Sequence, residues 1–463
     1  MKKNIQKIVE KALLELKDRE NWEDFEMPKI EVAYAKDEKF GDYSTNIAMI
    51  LAGKFRKAPM EIAENIKDEI SKIQNADLEK VEVVSPGYIN FTLANGYFGE
   101  LLKKINKEKE NFGNSPKESG EKYLVEFVSC NPTGPIHLGN GRGGPIGDIL
   151  ANVLEKTGAK VEREFYINDF GNQINVLGHS ILKDQEAQYR GDYIDELSDD
   201  LDKSLDDPMR IGNWGANKIL EKFIKPTAEK SGIVFDNWFS EKKLHDEGKV
   251  EEIIDRLKSQ NLVYEKDNAL WYKSTEFGDD KDRVMKKSDG KYTYLAVDFA
   301  YHKDKLERGF NKLIDIMGAD HFKETEVVKN FVEKILGAEN KISYILSQIV
   351  RVLKDGKEIK MSKRKGVYFA LDDLIDEVGK DAVRFIFASY APSSHINFDM
   401  NLAKEKSEKN PVYYVQYAHA RIASILEKAS VISHQSSAEL NLLTDEKELS
   451  LMRELAKFPE LVE

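Results

Sequence analysis

The chain has 463 residues, of which 41% are hydrophobic and 33% are charged, and its formal net charge is -12. This composition is typical of a folded globular protein and excludes a disordered chain, and the net charge argues against a surface that is basic throughout. No stretch approaches the ~18 apolar residues of a membrane-spanning helix, and the single cysteine, Cys130, suits a reducing cytosol. We therefore expect a cytoplasmic protein without a membrane partner, and its length predicts roughly three domains.

The N-terminal part of the chain mixes helix and strand signals. Apolar residues recur at helical spacing from Ile5 to Leu16, which predicts an amphipathic helix. Two short apolar runs, Val81–Val84 and Tyr88–Phe91, flank the turn residues Ser85–Gly87, which predicts two strands joined by a turn. The polar stretch from Lys107 to Gly120 contains glycine and proline and predicts a linker.

The next block predicts a parallel α/β sheet. An apolar strand from Tyr123 to Val128 is followed by a loop rich in proline and glycine, Asn131–Gly144. A helix with an apolar stripe from Ile146 to Leu154 comes next, and then an alternating strand, Val161–Ile167. Strand, glycine-rich loop, helix and strand in this order form a βαβ unit, whose strands pair in parallel.

Two later regions differ from this pattern. The stretch from Asp184 to Asp207 is strongly acidic, and we expect it to be a solvated insertion. From about Asn410 the pattern becomes helical, with an apolar stripe that runs from Val412 to Leu426.

The glycine-rich loop allows a first interpretation as a dinucleotide site. Gly139, Gly141 and Gly144 match the GxGxxG pattern, and Glu162 lies about where such folds place the acid that binds a ribose. A nicotinamide-dependent oxidoreductase is therefore one alternative. In a dinucleotide fold, however, the glycines follow the strand immediately, whereas here the predicted strand ends well before them, near Val128.

The same loop contains His137-Leu-Gly-Asn140, which resembles the His-x-Gly-His signature of class I aminoacyl-tRNA synthetases. A glycine beside an imidazole at the start of a helix lets ATP approach closely, and free N–H groups there favour phosphate. The resemblance implies that His137, Gly139, Asn140 and Gly141 bind ATP, and that His137 and Asn140 are catalytic. Asn140 stands where the family usually has His; it can still donate a hydrogen bond but cannot be cationic.

A second segment, Lys360-Met361-Ser362-Lys363-Arg364, resembles the Lys-Met-Ser-Lys-Ser loop of the same class, with Arg364 at the last position. A cationic loop that follows an apolar stretch is typical of a mobile clamp on a triphosphate. The resemblance implies catalytic roles for Lys360 and Lys363, and ATP contacts for Met361 and Ser362 as well. Two signatures in this order favour a class I synthetase over an oxidoreductase.

Further segments are similar to the arginyl-tRNA synthetase family, and the similarity covers nearly the whole chain. The shared segments are Val125–Pro135, Phe165–Gln173, Phe277–Arg283, Gly318–His321 and Val412–Arg421. The resemblance implies an α/β fold: a Rossmann-type parallel-sheet catalytic domain, an α+β N-terminal domain and part of an all-α C-terminal bundle.

The arginine site follows from this resemblance. A guanidinium needs planar acceptors in a fork arrangement, and the family's acceptor positions match Glu126, Asn131, Tyr294 and Asp298 here. Tyr294 and Asp298 are four residues apart and share a face if their segment is helical. Asn131 and His321 are expected to hold the α-amino or carboxylate end of the substrate.

The resemblance also implies the domain organisation. Residues 1–112 correspond to the domain that contacts the tRNA elbow, where Tyr88 and Asn90 could stack on and hydrogen-bond an unstacked base. Residues 113–395 form the catalytic domain, and residues 396–463 form part of the anticodon-binding bundle. That bundle normally continues past residue 463, so we expect a truncated chain with an exposed apolar patch near its C-terminus.

The function implied is that of an arginine-tRNA ligase. The expected partners are arginine, arginine tRNA and ATP with its Mg²⁺, and the chain is expected to act as a monomer. No protein nucleophile is expected, because the reaction needs positioning and charge stabilisation. The single cysteine gives no reason to expect a structural zinc site. A tRNA-binding module without catalysis is the remaining alternative, and the signature residues His137, Lys360 and Lys363 together disfavour it.

Overall fold

The computed structural model describes residues 1–20, 26–202, 204–359, 370–432 and 443–463. The chain divides into two compact units, Met1–Lys117 with Ser433–Glu463, and Glu118–Ile432. This division groups the end of the chain with its beginning, whereas the sequence predicts a separate third domain from residue 396. None of the helices described in these ranges is long and apolar enough to cross a membrane.

The first unit contains an antiparallel sheet of four strands in the order β1-β2-β4-β3. The strands are β1 (Val32–Tyr34), β2 (Tyr43–Thr45), β3 (Leu78–Val84) and β4 (Tyr88–Leu93). The two predicted strands are β3 and β4. β3 begins earlier than predicted, at Leu78, and β4 ends later than predicted, at Leu93.

Four helices of this unit precede the linker: α1 (Lys2–Glu20), α2 (Ile47–Phe55), α3 (Pro59–Ser71) and α4 (Asn95–Glu108). The predicted N-terminal helix is confirmed as α1, whose apolar stripe is buried in the core of the unit. The predicted linker begins too early, because α4 continues to Glu108 and a 3-10 helix follows over Lys109–Asn111.

The C-terminal helix, Glu446–Val462, belongs to the same unit. Met452 and Ala456 are buried in the core that α1 to α4 and the sheet enclose, and the rings of Phe458 and Phe112 are stacked with centroids 6.1 Å apart. The apolar residues of this helix thus pack within the first unit.

Glu460 of the C-terminal helix collects donors from the start of the chain. The N-terminal amine of Met1 lies 2.9 Å from its carboxylate, the backbone N–H of Lys2 donates at 2.8 Å, and the hydroxyls of Tyr34 and Tyr43 donate at 2.7 and 3.3 Å. Burial alone would raise the pKa of Glu460, but the bonds from Lys2, Tyr34 and the amine lower it. The carboxylate therefore holds the helix on this unit electrostatically.

The second unit is built on five parallel strands in the order β12-β11-β5-β6-β7. They are β5 (Lys122–Glu126), β6 (Lys160–Ile167), β7 (Asn237–Ser240), β11 (Lys312–Gly318) and β12 (Ile342–Ser347). The predicted βαβ unit is confirmed as β5, the helix α6 and β6. All but the first residue of β5 are buried, as is typical of a strand with both faces covered.

The unit also contains two small sheets of three strands each. The first contains β8 (Val263–Lys266), β9 (Ala269–Tyr272) and β10 (Arg283–Lys286), and the second contains β13 (Val350–Lys354), β14 (Lys357–Glu358) and β15 (Ile396–Asp399). The helices are α5 (Leu138–Gly141), α6 (Gly143–Lys156), α7 (Asn172–Leu182), α8 (Asp192–Asp199), α9 (Pro208–Ile219), α10 (Lys225–Lys230), α11 (Glu241–Asp246), α12 (Lys249–Ser259), α13 (Tyr294–Glu307), α14 (Phe322–Asn330), α15 (Leu371–Val378), α16 (Lys380–Ala388), α17 (Met400–Lys404) and α18 (Pro411–Ile432).

The acidic stretch is not simply a solvated insertion. Within it, α8 buries Ile194 and Leu197, which are 3% and 0% exposed and belong to the main core of the unit. Their spacing of three residues places both on one face of a helix, and the acids lie mainly on the other face. The prediction was wrong because acidic neighbours concealed a short apolar stripe.

The helix α18 is apolar and exposed along its predicted stripe. Val412 is buried, but Val415, Ile422 and Leu426 are 53%, 57% and 64% exposed. The expected exposure of this stripe is therefore present in α18.

Glu460→Gln should loosen the C-terminal helix, because an amide carries no charge to match the amine of Met1. The expected cost is about 1–3 kcal/mol at neutral pH. The pKa of Glu460 is lowered by folding, so this stabilisation is present above the ordinary glutamate range and is lost as the pH falls through the lowered value. Amide hydrogen exchange within Glu446–Val462 measures the loss.

Glu454→Gln is the matched control on the same helix, because the Glu454 side chain is 64% exposed and pairs only with Lys457 among the described residues. Equal exchange rates in the two variants would contradict the role given to Glu460.

Candidate active site

The site lies where the order of the parallel sheet reverses. The chain runs from β5 outward to β6 and β7, and then returns to place β11 on the other side of β5. In open α/β sheets, ligands bind beyond the carboxyl ends of the strands at such a switch point. Glu126 ends β5, and its register partner on β11 is Asp315.

A cavity of about 660 Å³ opens at this point. Every residue predicted to hold arginine lines it, and so do His137 and Asn140 of the glycine-rich loop; the predicted arginine set is Glu126, Asn131, Tyr294, Asp298 and His321. The structure therefore brings together residues that are far apart in the sequence.

His137 caps the short helix α5. Its Nδ1 accepts a hydrogen bond of 3.1 Å from the backbone N–H of Gly139, so in the neutral imidazole the proton is on Nε2. The loop is also tightly packed: a Cβ on Gly141 would lie 2.9 Å from Leu371. The loop thus places the His137 imidazole in the wall of the cavity.

Asn140 supports a strained turn at the end of β5. Val128 and Ser129 have φ angles of 70° and 34°, a conformation that is unusual for a β-branched residue such as valine. The side-chain amide of Asn140 donates to the carbonyl of Val128 at 3.3 Å, and Ser129 Oγ accepts from the N–H of Tyr166 at 3.1 Å. Such strain costs about 1–3 kcal/mol and persists only where neighbours hold it.

The second signature, residues 360–364, lies outside the described residues, so the predicted roles of Lys360, Met361, Ser362 and Lys363 stay predictions. The described residues on its C-terminal side are close to the glycine-rich loop. Ala370 forms a β-bridge with His137, and the N–H of Leu371 donates to the carbonyl of Ile136 at 2.9 Å.

A row of buried acids crosses the centre of the sheet. Asp315, Glu126 and Glu164 are register partners on β11, β5 and β6, and their exposed fractions are 2%, 9% and 0%. Side chains at matched positions of neighbouring strands lie on the same face and close together. Adjacent carboxylates in a buried layer repel each other unless cations lie between them.

The helix α13 and the residue that follows it supply these cations. Lys305 is fully buried, and its Nζ donates to Glu126 at 2.6 Å and to Asp315 at 2.7 Å. Arg308 donates to Glu164 at 2.8 Å. Burial would raise the pKa of Asp315, but Lys305 and a hydrogen bond from His302 lower it to about 2.

Asp298 differs from the other acids of the cavity. Among the described residues, its carboxylate has no ion pair or hydrogen bond, whereas Glu126 and Asp315 contact Lys305 and Glu324 contacts His321. Burial, together with the nearby acids, raises the pKa of Asp298 to about 7. Its carboxylate therefore stands ready to pair with a cationic ligand.

The remaining predicted ligands line the same cavity from loops and helix ends. Tyr294 begins α13 and is 66% exposed, one turn before Asp298. His321 lies 2.9 Å from Glu324, a bond that raises the pKa of the imidazole. Asn131 is exposed at the entrance. These positions are compatible with an arginine site, and their roles stay predictions.

The two residues predicted to bind tRNA lie in the first unit and differ in exposure. Tyr88 is 39% exposed, but Asn90 is 6% exposed and its Oδ1 accepts from Ser44 Oγ at 2.7 Å. Tyr88 is therefore accessible to a base, whereas Asn90 stabilises the sheet.

Sequence reasoning missed several residues of the site. Lys305 lies seven residues after Asp298, which places both on one side of α13, so helical periodicity could have found it. Asp315 is an acid inside an apolar strand, which is itself a signal of function or pairing. Arg142, fully buried within the glycine-rich loop, donates to the carbonyls of Gln348, Ala391 and Ser394, and nothing in its local sequence indicated this.

Comparison with known proteins identifies the family. The chain matches models of the arginyl tRNA synthetase N-terminal domain over residues 2–93, of the class I (R) tRNA synthetase catalytic domain over 101–206 and 232–422, and of the DALR anticodon-binding domain over 415–463. An arginine–tRNA ligase of Listeria monocytogenes is 43% identical, over 100% of this chain and 87% of its own length. The chain belongs to the arginyl-tRNA synthetase family.

Other comparisons agree with this assignment. An arginine–tRNA ligase of Shouchella clausii is 42% identical over 94% of this chain and 82% of its own length. The arginyl-tRNA synthetase of Thermus thermophilus shares the fold, with a TM-score of 0.76 over 100% of this chain and 87% of that chain, at 21% identity. The protein is thus an aminoacyl-tRNA ligase.

The family assignment excludes the two alternative functions, a nicotinamide-dependent oxidoreductase and a tRNA-binding module without catalysis. Glu162 is not positioned to bind the ribose of a dinucleotide. It lies near the start of β6, away from the carboxyl ends of the strands, and contacts Arg308 at 3.3 Å. The GxGxxG match of Gly139, Gly141 and Gly144 is therefore coincidental.

Asn140→His should keep activity within about tenfold, a difference of about 1.4 kcal/mol, because an imidazole N–H can still donate to the Val128 carbonyl. Asn140→Asp should lose more, because a carboxylate cannot donate and repels that carbonyl. Aminoacylation rates of the two variants make the comparison. If the His variant loses as much as the Asp variant, the donor function assigned to Asn140 is wrong.

Proposed function

We propose that this chain activates arginine with ATP and transfers the arginyl group to the terminal ribose of its tRNA. The observation that carries the proposal is the unpartnered carboxylate of Asp298 in a cavity whose other acids are paired. A guanidinium is the side-chain cation that best matches a carboxylate with two parallel hydrogen bonds. Tyr294, one turn earlier on α13, lines the same cavity.

The other end of the substrate would lie towards the glycine-rich loop. Asn131 and His321 line the cavity and offer polar groups for the α-amino and carboxylate groups. Glu126, which the resemblance places with the guanidinium acceptors, lines the same cavity, and Lys305 contacts its carboxylate. This arrangement would place the arginine carboxylate near His137, where the α-phosphate of ATP must lie for reaction.

Chemistry would proceed in two steps. The carboxylate of arginine attacks the α-phosphorus of ATP, and pyrophosphate leaves, giving arginyl-adenylate. The 2′-hydroxyl of the terminal ribose then attacks the arginyl carbonyl, and AMP leaves. Neither step needs a protein nucleophile, so catalysis rests on positioning and on donors that stabilise phosphate charge.

The donors proposed are the Nε2–H of His137 from the described loop and, on the family resemblance, Lys360 and Lys363. Mg²⁺ enters with ATP as part of the substrate, and we assign it no protein ligand. The tRNA would contact the N-terminal residues around Tyr88 and the region that matches the anticodon-binding model.

Arginine should stimulate ATP–pyrophosphate exchange by this chain in the presence of its tRNA. The exchange assay with each amino acid in turn measures this directly. Stimulation by a different amino acid, with none by arginine, would refute the proposed substrate.

Asp298→Asn keeps the shape of the side chain and removes its charge. Arginine should bind about 10- to 100-fold more weakly, because a charge-assisted pair is replaced by a neutral contact. Neutral citrulline, which has nearly the same shape, should lose much less. Calorimetric titration with both ligands gives the comparison, and equal losses would make Asp298 a structural residue.

The affinity for arginine should fall as the pH drops below about 7, because the guanidinium pairs with the ionised form of Asp298, whose pKa is about 7. The limiting slope is about tenfold per pH unit. His321, which faces the same cavity and gains a proton at low pH, would add to the loss, so Asp298→Asn is the control. A profile that is unchanged in this variant would exclude Asp298 as the titrating group.

A further inference from the structure

The segment that joins α7 to α8, together with the first turn of α8, forms part of the wall of the cavity. Gln188, Tyr189, Arg190 and Tyr193 all line it. The predictions from sequence give none of these residues a role, because they lie in the acidic stretch that was expected to be a solvated insertion. A cation in this wall therefore calls for a physical reason.

The backbone on both sides of Arg190 is fixed. The N–H groups of Gln188 and Tyr189 donate to Ser180 Oγ at 3.1 and 3.0 Å, and Ser180 is buried. Gly191 follows with a φ of 131°, a conformation that glycine adopts readily and other residues rarely do. The position of Arg190 at the cavity is therefore set by its neighbours on either side.

Tyr193 ties this segment to the glycine-rich loop. Its hydroxyl donates to the carbonyl of Thr133 at 3.0 Å, and Thr133 lies four residues before His137. Arg190 and His137 therefore line one cavity from two elements that are directly connected.

Arg190 is a cation that no acid of the protein neutralises. Within the part of the chain that the structure describes, it forms no ion pair or hydrogen bond, and its side chain is exposed. The acids of the same stretch contact other cations: Asp184 contacts His179, Asp195 contacts Lys183, and Glu196 and Asp200 contact Lys222. The guanidinium of Arg190 is therefore available to an anion that enters the cavity.

The substrates of the proposed reaction offer three kinds of anion: the carboxylate of arginine, the phosphates of ATP and the phosphodiesters of tRNA. The proposed arrangement uses His137, Lys360 and Lys363 for the first two. It leaves the phosphates at the 3′ end of the tRNA without a cation among the described residues of this unit. That end must enter the same cavity, because its terminal ribose has to reach the arginyl carbonyl.

The chemistry of the wall fits a phosphate of a single strand. A guanidinium matches a phosphate with two parallel hydrogen bonds. Tyr189 adds a half-buried aromatic side chain next to it, and cations combined with aromatic side chains are typical of sites for single-stranded RNA. The carboxylates elsewhere in the stretch repel other phosphates, which limits the contact to one position.

We propose that Arg190 binds the last phosphodiester of the tRNA 3′ end and so holds the terminal ribose at the cavity for the second step. This inference rests on the proposed function and deepens it, because it names a residue that positions the acceptor of the arginyl group.

The test pairs a change in the protein with a change in the RNA. One arginine tRNA carries a neutral methylphosphonate in place of its last phosphodiester, and the other is unmodified. The wild-type chain should bind the neutral form about tenfold more weakly, because a charge-assisted hydrogen bond is lost. Arg190→Gln should bind the unmodified tRNA about tenfold more weakly and should not distinguish the two forms. Fluorescence anisotropy with labelled tRNA measures all four affinities.

Two further variants control for charge and for position. Arg190→Lys keeps the charge, so it should still distinguish the two forms of the tRNA. Arg210→Gln removes an exposed arginine of α9 that does not line the cavity, and it should behave as the wild-type chain does. The slope of log affinity against log salt should fall by about 0.7 in Arg190→Gln and stay unchanged in Arg210→Gln.

Three results would overturn the proposal. The first is a wild-type chain that binds both forms of the tRNA equally, a result that does not depend on the folding of any variant. The second is an Arg190→Gln chain that distinguishes the two forms as strongly as the wild-type chain does. The third is a loss of affinity for ATP or for arginine in Arg190→Gln, measured by calorimetry without tRNA, because it would assign the guanidinium to that substrate.

These outcomes are distinct from a failure of the proposed function, because tRNA binding is measured without the reaction. If arginine does not stimulate ATP–pyrophosphate exchange, the proposed amino acid is wrong whatever the tRNA affinities are. If arginine does stimulate exchange and the two forms of the tRNA bind equally, the proposed function stands and only the role of Arg190 is refuted.

Discussion

The second unit depends on one electrostatic constraint, the row of buried acids formed by Asp315, Glu126 and Glu164 at the centre of its parallel sheet. Three neighbouring strands place carboxylates at matched positions, which would be unfavourable in a layer without water. Lys305 and Arg308 supply the matching cations. The end of α13 is therefore fixed against the sheet by charge as well as by apolar packing.

The ion pairs between α13 and the sheet explain where the residues that line the cavity lie. Because the end of α13 is held by Lys305, the start of the same helix projects Tyr294 and Asp298 over the carboxyl ends of β5 and β11. The switch point of the sheet gives the opening, and the paired acids beneath it leave Asp298 as the available carboxylate. One buried ion-pair network thus connects the fold to the form of the cavity.

The glycine-rich loop meets this cavity from the other side. The strained residues Val128 and Ser129 follow β5. The side-chain amide of Asn140 donates a hydrogen bond to the Val128 carbonyl and so stabilises their turn. In the same loop, Nδ1 of His137 accepts a hydrogen bond from the backbone N–H of Gly139. Strain in the backbone and a fixed imidazole are both consistent with a site whose geometry is set before substrate binds.

Much of this site follows from sequence patterns, because apolar periodicity predicts β5, α6 and β6, and the spacing of Tyr294 and Asp298 predicts their shared face. Lys305 was missed because a lysine in a helix usually reaches solvent; its spacing from Asp298 shows that the two share a side of α13, and the packing of α13 on the sheet shows that it is buried. The tRNA contact expected of Asn90 came from the family resemblance; its side chain is 6% exposed and accepts a hydrogen bond from Ser44, which the sequence does not show. Ile194 was overlooked for the related reason that local acidity masked an apolar stripe.

A crystal structure of the chain with bound arginine would show directly which carboxylate pairs with the guanidinium. Guanidinium nitrogens should lie within about 3 Å of the Asp298 carboxylate, with Lys305 still between Glu126 and Asp315. A guanidinium that displaces Lys305 from Glu126, or that binds away from Asp298, would contradict this arrangement.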